Sequence, residues 1–320
     1  SHGLPHNSTY HILEHPSTGD LYAATASIHD IYQSTYLTDD RIDIGVGNLM
    51  RSCDQGLNWT TFEEFGHPVI WLSMDPNDSN TLYASVVHSS EGGIYVTDNL
   101  NDGPYETWRR LSAPPRTQGH PFNVHVLNDG TILATYSGRI NDAGSFTESS
   151  GVFVSTDSGS TWQDVSHANM RRWTKDIVID PHDSGQDTWY VSVFSHWGAN
   201  PNEVGGLYRT EDRGANWTRM SDLYRVESCT VHPVNPEILY LSTELQGLWQ
   251  TDNLSAAAPA FSQVEEYPFV HPLRLFFHPK NPNEIWATSF GDGLRVWRKA
   301  CSDDMDGDGI LDNQDNCPSV

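Results

Sequence analysis

The sequence predicts an all-β chain, a six-bladed β-propeller with seven blades as the alternative count, followed by a short acidic tail. Three observations predict it. A strand–turn–strand unit recurs six times, an octapeptide turn recurs three times in register with it, and regularly spaced aspartates fill the last seventeen or so residues.

The first turn of each unit reads His15-Pro16, Asp75-Pro76, Asn128-Asp129-Gly130, Asp180-Pro181, His232-Pro233 and His278-Pro279. The strand after it reads Leu21-Tyr22-Ala23, Leu82-Tyr83-Ala84, Ile132-Leu133-Ala134, Trp189-Tyr190-Val191, Leu239-Tyr240-Leu241 and Ile285-Trp286-Ala287. Where consecutive prolines can be compared they stand 46 to 60 residues apart, close to the length of a four-stranded propeller blade. β-branched and aromatic residues bounded by turn formers make each run a strand.

The octapeptide is Ser/Thr-x-Asp-x-Gly-x-x-Trp. Its copies are Ser52-Asp54-Gly56-Trp59, Ser155-Asp157-Gly159-Trp162 and Thr210-Asp212-Gly214-Trp217. The aspartate can accept backbone N–H groups inside a hairpin loop, the glycine takes a backbone angle other residues resist, and the Trp packs between sheets. Two further units keep the acid, Asp98 and Asp252, with Trp108 and Phe261 later.

These residues resemble the Asp-box, or bacterial neuraminidase, repeat, which occurs in sialidases, two-propeller xyloglucanases and sortilin-type receptors. The resemblance covers roughly residues 4 to 299 and implies a propeller over 1–299. Five blades are complete. The sixth, about 271–299, lacks an outer strand, which the N-terminal residues are expected to supply. The resemblance also implies that Asp54, Asp157 and Asp212 lie away from any active centre and serve the fold. No Arg-Ile-Pro motif supports a sialidase, and a xyloglucanase of that kind would need two opposed acids on two propellers.

In the tail, Asp304, Asp306, Asp308, Asp312 and Asp315 stand at positions 1, 3, 5, 9 and 12 of a loop with Gly309 at 6. Hard cations take several oxygens from one tight loop, so this pattern suits Ca²⁺, with the carbonyl of Ile310 at position 7. The ending Asp315-Asn316-Cys317-Pro318 resembles thrombospondin type 3 repeats, which assigns 300–320 to the start of such a tail. Those repeats occur in arrays, which implies further modules in the full-length chain.

Charge and composition narrow the function. The net charge of −24 excludes a nucleic-acid partner, since phosphate binding needs a Lys/Arg surplus. No apolar run approaches the length of a membrane-spanning helix. Four cysteines in 320 residues are too few for a disulfide scaffold. Cys301 and Cys317 bracket the tail, and the pairing of Cys53 and Cys229 stays open. The repeat type and tail together suggest a secreted or cell-surface protein, bacterial by its modules.

In a propeller, alternate connections share one side. The turns named above occupy one; loops between second and third strands, and between blades, occupy the other. That second side collects the candidate ligand-binding residues His67, His88, Arg139, Arg172, Trp173, Trp197, Arg225, Glu244, His271 and Arg274. The candidate catalytic residues His29, Tyr32, His120 and His196 lie there too. Arginine binds carboxylate or sulfate bidentately, and Trp stacks on sugar faces. The expected function is therefore a module recognising carbohydrate, an acidic polysaccharide above all. A polysaccharide lyase or glycoside hydrolase is the alternative, with His29, His120 or His196 as base and Tyr32 as partner. A His-lined Cu or Zn site and a protein-binding propeller are further alternatives; no His-x-His pair supports the metal.

Overall fold

The structure, a computed structural model, describes residues 3–6, 8–31, 36–195 and 204–298. It is an all-β, six-bladed propeller with almost no helix. The first sheet is β1 (Ser8–Glu14), β2 (Leu21–Ala26), β3 (Leu49–Ser52) and β4 (Thr60–Glu63). The second is β5 (Val69–Asp75), β6 (Asp78–Val86), β7 (Gly93–Thr97) and β8 (Arg109–Arg110). Next come β9 (Pro121–Val126), β10 (Ile132–Tyr136), β11 (Gly151–Ser155) and β12 (Gln163–Asp164). The fourth holds β13 (Thr174–Ile179), β14 (Trp189–Val193), β15 (Gly206–Thr210) and β16 (Thr218–Arg219). The fifth holds β17 (Val226–Val231), β18 (Leu239–Thr243), β19 (Leu248–Thr251) and β20 (Ser262–Gln263). The sixth has three strands, β21 (Pro272–His278), β22 (Asn281–Ser289) and β23 (Gly293–Arg298). Strand order follows the chain within every sheet.

By internal contacts the chain divides into two units, Ser1–Ile177 with Thr210–Trp217, and Val178–Arg209 with Thr218–Val320. In the first unit, Tyr22, Leu49, Leu72, Leu82 and Leu100 form the core of the first two sheets. Ile94, Val96, Leu111, Val124 and Phe153 continue it into the third. In the second unit, Tyr190, Leu207, Val226, Leu239 and Leu241 pack together, and so do Tyr240, Leu248, Leu275 and Ile285. The tyrosine of the recurring second strand is the centrepiece: Tyr22, Tyr83, Tyr190 and Tyr240 are all 6% exposed or less. Each buries a large ring against the neighbouring sheet.

Two features of the turns follow from their residues. The histidines before proline act as caps: His15 Nδ1 accepts from Ser17 N and Thr18 N, and His232 Nδ1 accepts from Val234 N and Asn235 N. Asp75 and Asp180 do the same with a carboxylate, accepting from Asn77 N and His182 N. The octapeptide turns share one geometry. Asp54, Asp157 and Asp212 each accept from the preceding hydroxyl (Ser52, Ser155, Thr210) at 2.8 Å and from the backbone N–H four residues on at 2.8 Å. Gly56, Gly159 and Gly214 sit at φ of +80° to +88°, the left-handed region that favours glycine.

Two sequence expectations change, and the open question of the Cys53–Cys229 pairing is answered. In the second and fifth sheets the cap is Asn99 and Asn253, rather than Asp98 and Asp252. Thr97 and Thr251 donate to those asparagines at 2.9 and 2.8 Å, at the same spacing as in the octapeptides. A neutral amide oxygen accepts the same backbone N–H groups (Thr107 N and Ala260 N), across a longer loop. Among the described residues, the N-terminal segment does not complete the sixth sheet. Residues 8–14 are the first strand of the first sheet, and Gly3 lies so close to the Trp59 backbone that a Cβ would come within 2.4 Å of its carbonyl. Cys53 and Cys229 form no disulfide: Cys53 is exposed, whereas Cys229 is buried with its thiol toward the Tyr190 carbonyl.

Candidate functional site

Antiparallel order sends the capped turns to one end of each sheet and the remaining connections to the other. In the first unit those connections bring two histidines and two carboxylates together. The short helix α1 (Asp39–Asp43), inside the first sheet's long connection, ends at Asp43. Asp43 accepts the Ser89 N–H at 2.8 Å and the Ser89 hydroxyl, which fixes it against the loop that carries His88. His88 Nδ1 accepts from Ser90 N and Glu91 N at 3.2 and 3.0 Å. Its proton therefore sits on Nε2, 3.8 Å from Asp43. His67, just before β5, packs against His88 with ring centroids 4.1 Å apart and the rings tilted by 39°, and its Nε2 meets Glu91 at 2.8 Å. The His67 contact holds the Glu91 carboxyl below its usual range.

Beneath this cluster lies His120, 1% exposed. Loss of hydration pushes its pKa down to about 4, opposed by Asp43 and assisted by His88. Neither ring nitrogen has a hydrogen-bond partner among the described residues. Two glycines allow the close approach. A Cβ on Gly92 would come within 2.0 Å of the Gly119 carbonyl, and one on Gly119 within 2.3 Å of the His88 carbonyl. His120 is thus a neutral ring sealed under the surface pair rather than an accessible base.

The arginines at this end carry carboxylate partners. Arg139, 9% exposed, meets Asp39 and donates to the Gln118 carbonyl at 3.2 Å; its burial lowers its pKa. Arg172 meets Glu148 at 2.6 Å, and Arg41 meets Asp30 at 3.4 Å. Trp173 is buried, its ring 4.7 Å from Phe146 and 5.8 Å from Tyr36, so it belongs to an aromatic knot and offers no open face for stacking. His29 is exposed, and its carbonyl accepts the Tyr10 hydroxyl. In the second unit, Arg225 and Glu244 form a buried pair at 3.0 Å, and His271 stands 3.6 Å from Glu227. Arg274 pairs in register with Thr288. Tyr32, His196, Trp197 and the tail residues Asp304, Asp306, Asp308, Ile310, Asp312 and Asp315 lie outside the described residues.

The partner acids Asp39, Asp43, Glu91, Glu148 and Glu227 escaped sequence reasoning. No local signal marked them, because each meets a base from another part of the chain: Asp39 with Arg139, Asp43 with His88, Glu91 with His67, Glu148 with Arg172, and Glu227, inside β17, with His271. Among the described residues no three His, Cys, Asp or Glu side chains come together in a way that could hold a metal ion. No helix among them is long and apolar enough to cross a membrane.

Residues 299–320 match the family model of the thrombospondin type 3 repeat, a calcium-binding repeat. The chain is similar to an oligoxyloglucan-reducing end-specific xyloglucanase of Emericella nidulans, 24% identical over 216 residues, covering 64% of this chain and 23% of the relative. Among solved structures it resembles the GH74 enzyme of Niastella koreensis, with a TM-score of 0.61 at 16% identity, covering 92% of this chain and 44% of that one. It also resembles PorZ, a surface component of the type-IX secretion system of Porphyromonas gingivalis, with a TM-score of 0.64 at 15% identity, covering 95% and 42%. The chain spans about a quarter of the length of the curated relative. These likenesses establish the propeller fold.

Proposed function

We propose that residues 1–299 are an extracellular carbohydrate-recognition propeller of the Asp-box type, and that residues 300–320 begin a calcium-loaded spacer. The observation that carries the reading is the cluster of His67, His88, Asp43 and Glu91. It alternates hydrogen-bond donors and acceptors at the loop-rich end of the first unit, as recognition of sugar hydroxyls requires. The xyloglucanase relatives support polysaccharide as the ligand class. The ion pairs favour a neutral chain over the acidic one suggested by the sequence. Arg41, Arg139, Arg172 and Arg225 already face carboxylates, and a net charge of −24 repels a polyanion.

Affinity electrophoresis against xyloglucan and a uronate polysaccharide tests this. Retention by xyloglucan, weakened about tenfold by His88→Ala or Glu91→Gln, supports it. Retention by the uronate alone overturns the neutral-chain reading, and release of reducing ends would move the protein to the hydrolases. In the tail, Asp304, Asp306, Asp308, Asp312, Asp315 and the Ile310 carbonyl are oxygen donors of the kind Ca²⁺ takes. Calorimetric titration should register Ca²⁺ uptake that Asp308→Asn weakens.

A further inference from the structure

Among the described residues five sheets have four strands, and the sixth has three. The fourth strands share a pattern of aromatic, polar, polar, apolar: Trp108-Arg109-Arg110-Leu111, Trp162-Gln163-Asp164-Val165, Trp217-Thr218-Arg219-Met220 and Phe261-Ser262-Gln263-Val264. Each docks in one register. The second polar residue lies opposite the middle of the third strand, as in Tyr95 with Arg110, Phe153 with Asp164, Tyr208 with Arg219 and Trp249 with Gln263. The apolar residue then donates its N–H to the preceding carbonyl: Leu111 to Ile94, Val165 to Val152, Met220 to Leu207 and Val264 to Leu248, at 2.7 to 3.0 Å.

β23 repeats the third-strand pattern without this partner. Its Gly293-Leu294-Arg295-Val296 matches Gly93-Ile94-Tyr95-Val96 and Gly151-Val152-Phe153-Val154. Ile94, Val152, Leu207 and Leu248 are 0–1% exposed, whereas Leu294 is 56% and Val296 53% exposed. Among the described residues β23 has one neighbour, β22. An exposed apolar edge strand is a template for another strand.

We propose that β23 is a docking edge for an extended polypeptide segment lying outside residues 1–320, of the pattern aromatic, polar, acidic, apolar. Residues 299–320 contain no aromatic residue and do not fit it. The register places the guest's acid opposite Arg295, which is half exposed and already pairs with Asp292 through Nε and Nη2, so the guest's carboxylate would share or displace that contact. The guest's apolar residue donates to the Leu294 carbonyl and lies over the Leu294 side chain. The next outward group on this edge is the Val296 N–H, two residues on.

The probe is the peptide Ser-Thr-Trp-Gln-Asp-Val-Ser-His, a copy of residues 160–167, added to the full chain, with hydrogen exchange of β23 as the readout. The expected result is exchange at Val296 slowed about tenfold or more at saturating peptide. Val296→Pro removes that donor at an edge position that tolerates proline, so binding of the fluorescently labelled peptide, read by anisotropy, should weaken about tenfold while the melting temperature stays in place. Equal protection by a scrambled peptide, no change at Val296, or a Val296 amide already slow in the chain alone would each overturn the proposal. A slow amide that speeds up on dilution would identify a second copy as the occupant instead.

Discussion

Gly159 has two constraints at once. Its φ of +80° suits glycine, and a Cβ there would meet Leu111 Cδ1 at 2.5 Å. Gly159→Ala should therefore cost about 1–3 kcal/mol, read as a lower urea midpoint at unchanged slope. Gly130, also at positive φ but with nothing within 4 Å, should lose only the conformational part. The aspartate two residues before Gly159 titrates with the fold. Hydrogen bonds from Thr161 and Ser155 pull Asp157 down to about 2, and the Arg213 contact does the same for Asp129. A depressed folded-state value means the stabilisation is complete above the ordinary carboxylate range near 4. It drains away as pH falls from about 4 to about 2. Unfolding midpoints measured across that window should drop, and Asp157→Asn, which cannot titrate, should flatten part of the drop.

At the scale of the turn, the chain shows what a sequence can and cannot reveal. The three octapeptides were legible because cap, glycine and Trp keep fixed spacing. The caps of the second and fifth sheets were misread, because an acid, Asp98 or Asp252, stands next to the working amide. Only the third-strand register shows that the position two residues after the hydroxyl does the capping. Asn99→Ala should cost about 1 kcal/mol, while Asp98→Ala should stay within about 0.5 kcal/mol, both from thermal melts. The candidate site was legible by half. Loop assignment found His67 and His88, but their pairing with Glu91 and Asp43 depends on side chains brought together from 24 and 45 residues away. No local pattern encodes such distances. Trp173 and Arg139 were read as open ligand contacts because composition cannot tell a buried aromatic knot or ion pair from an exposed one. The buried pair of Arg225 and Glu244 behaves as a unit: Glu244→Gln alone should cost about 3–5 kcal/mol, and adding Arg225→Met should recover much of it. A double-mutant cycle by denaturant unfolding checks this.

For the whole molecule, 42 acidic against 18 basic residues leave a surplus that strains any compact state. Raising salt from about 0.01 to 0.15 M shortens the screening length from about 30 to about 8 Å, so the melting temperature should climb over that range. Ion pairs at the loop-rich end weaken under the same change. A flat or falling curve would mean those pairs outweigh the general repulsion. The propeller itself was readable because a period of about fifty residues survives every local substitution, whereas the missing strand of the sixth sheet was readable only as a gap.

That last sheet is held to the fifth through its first strand. The Ser228 and Thr230 hydroxyls reach the Leu273 and Leu275 carbonyls, and Phe277 lies against Tyr240 and His232. Pulling on the C-terminal end would load these contacts directly, since β23 reaches β21 only through β22.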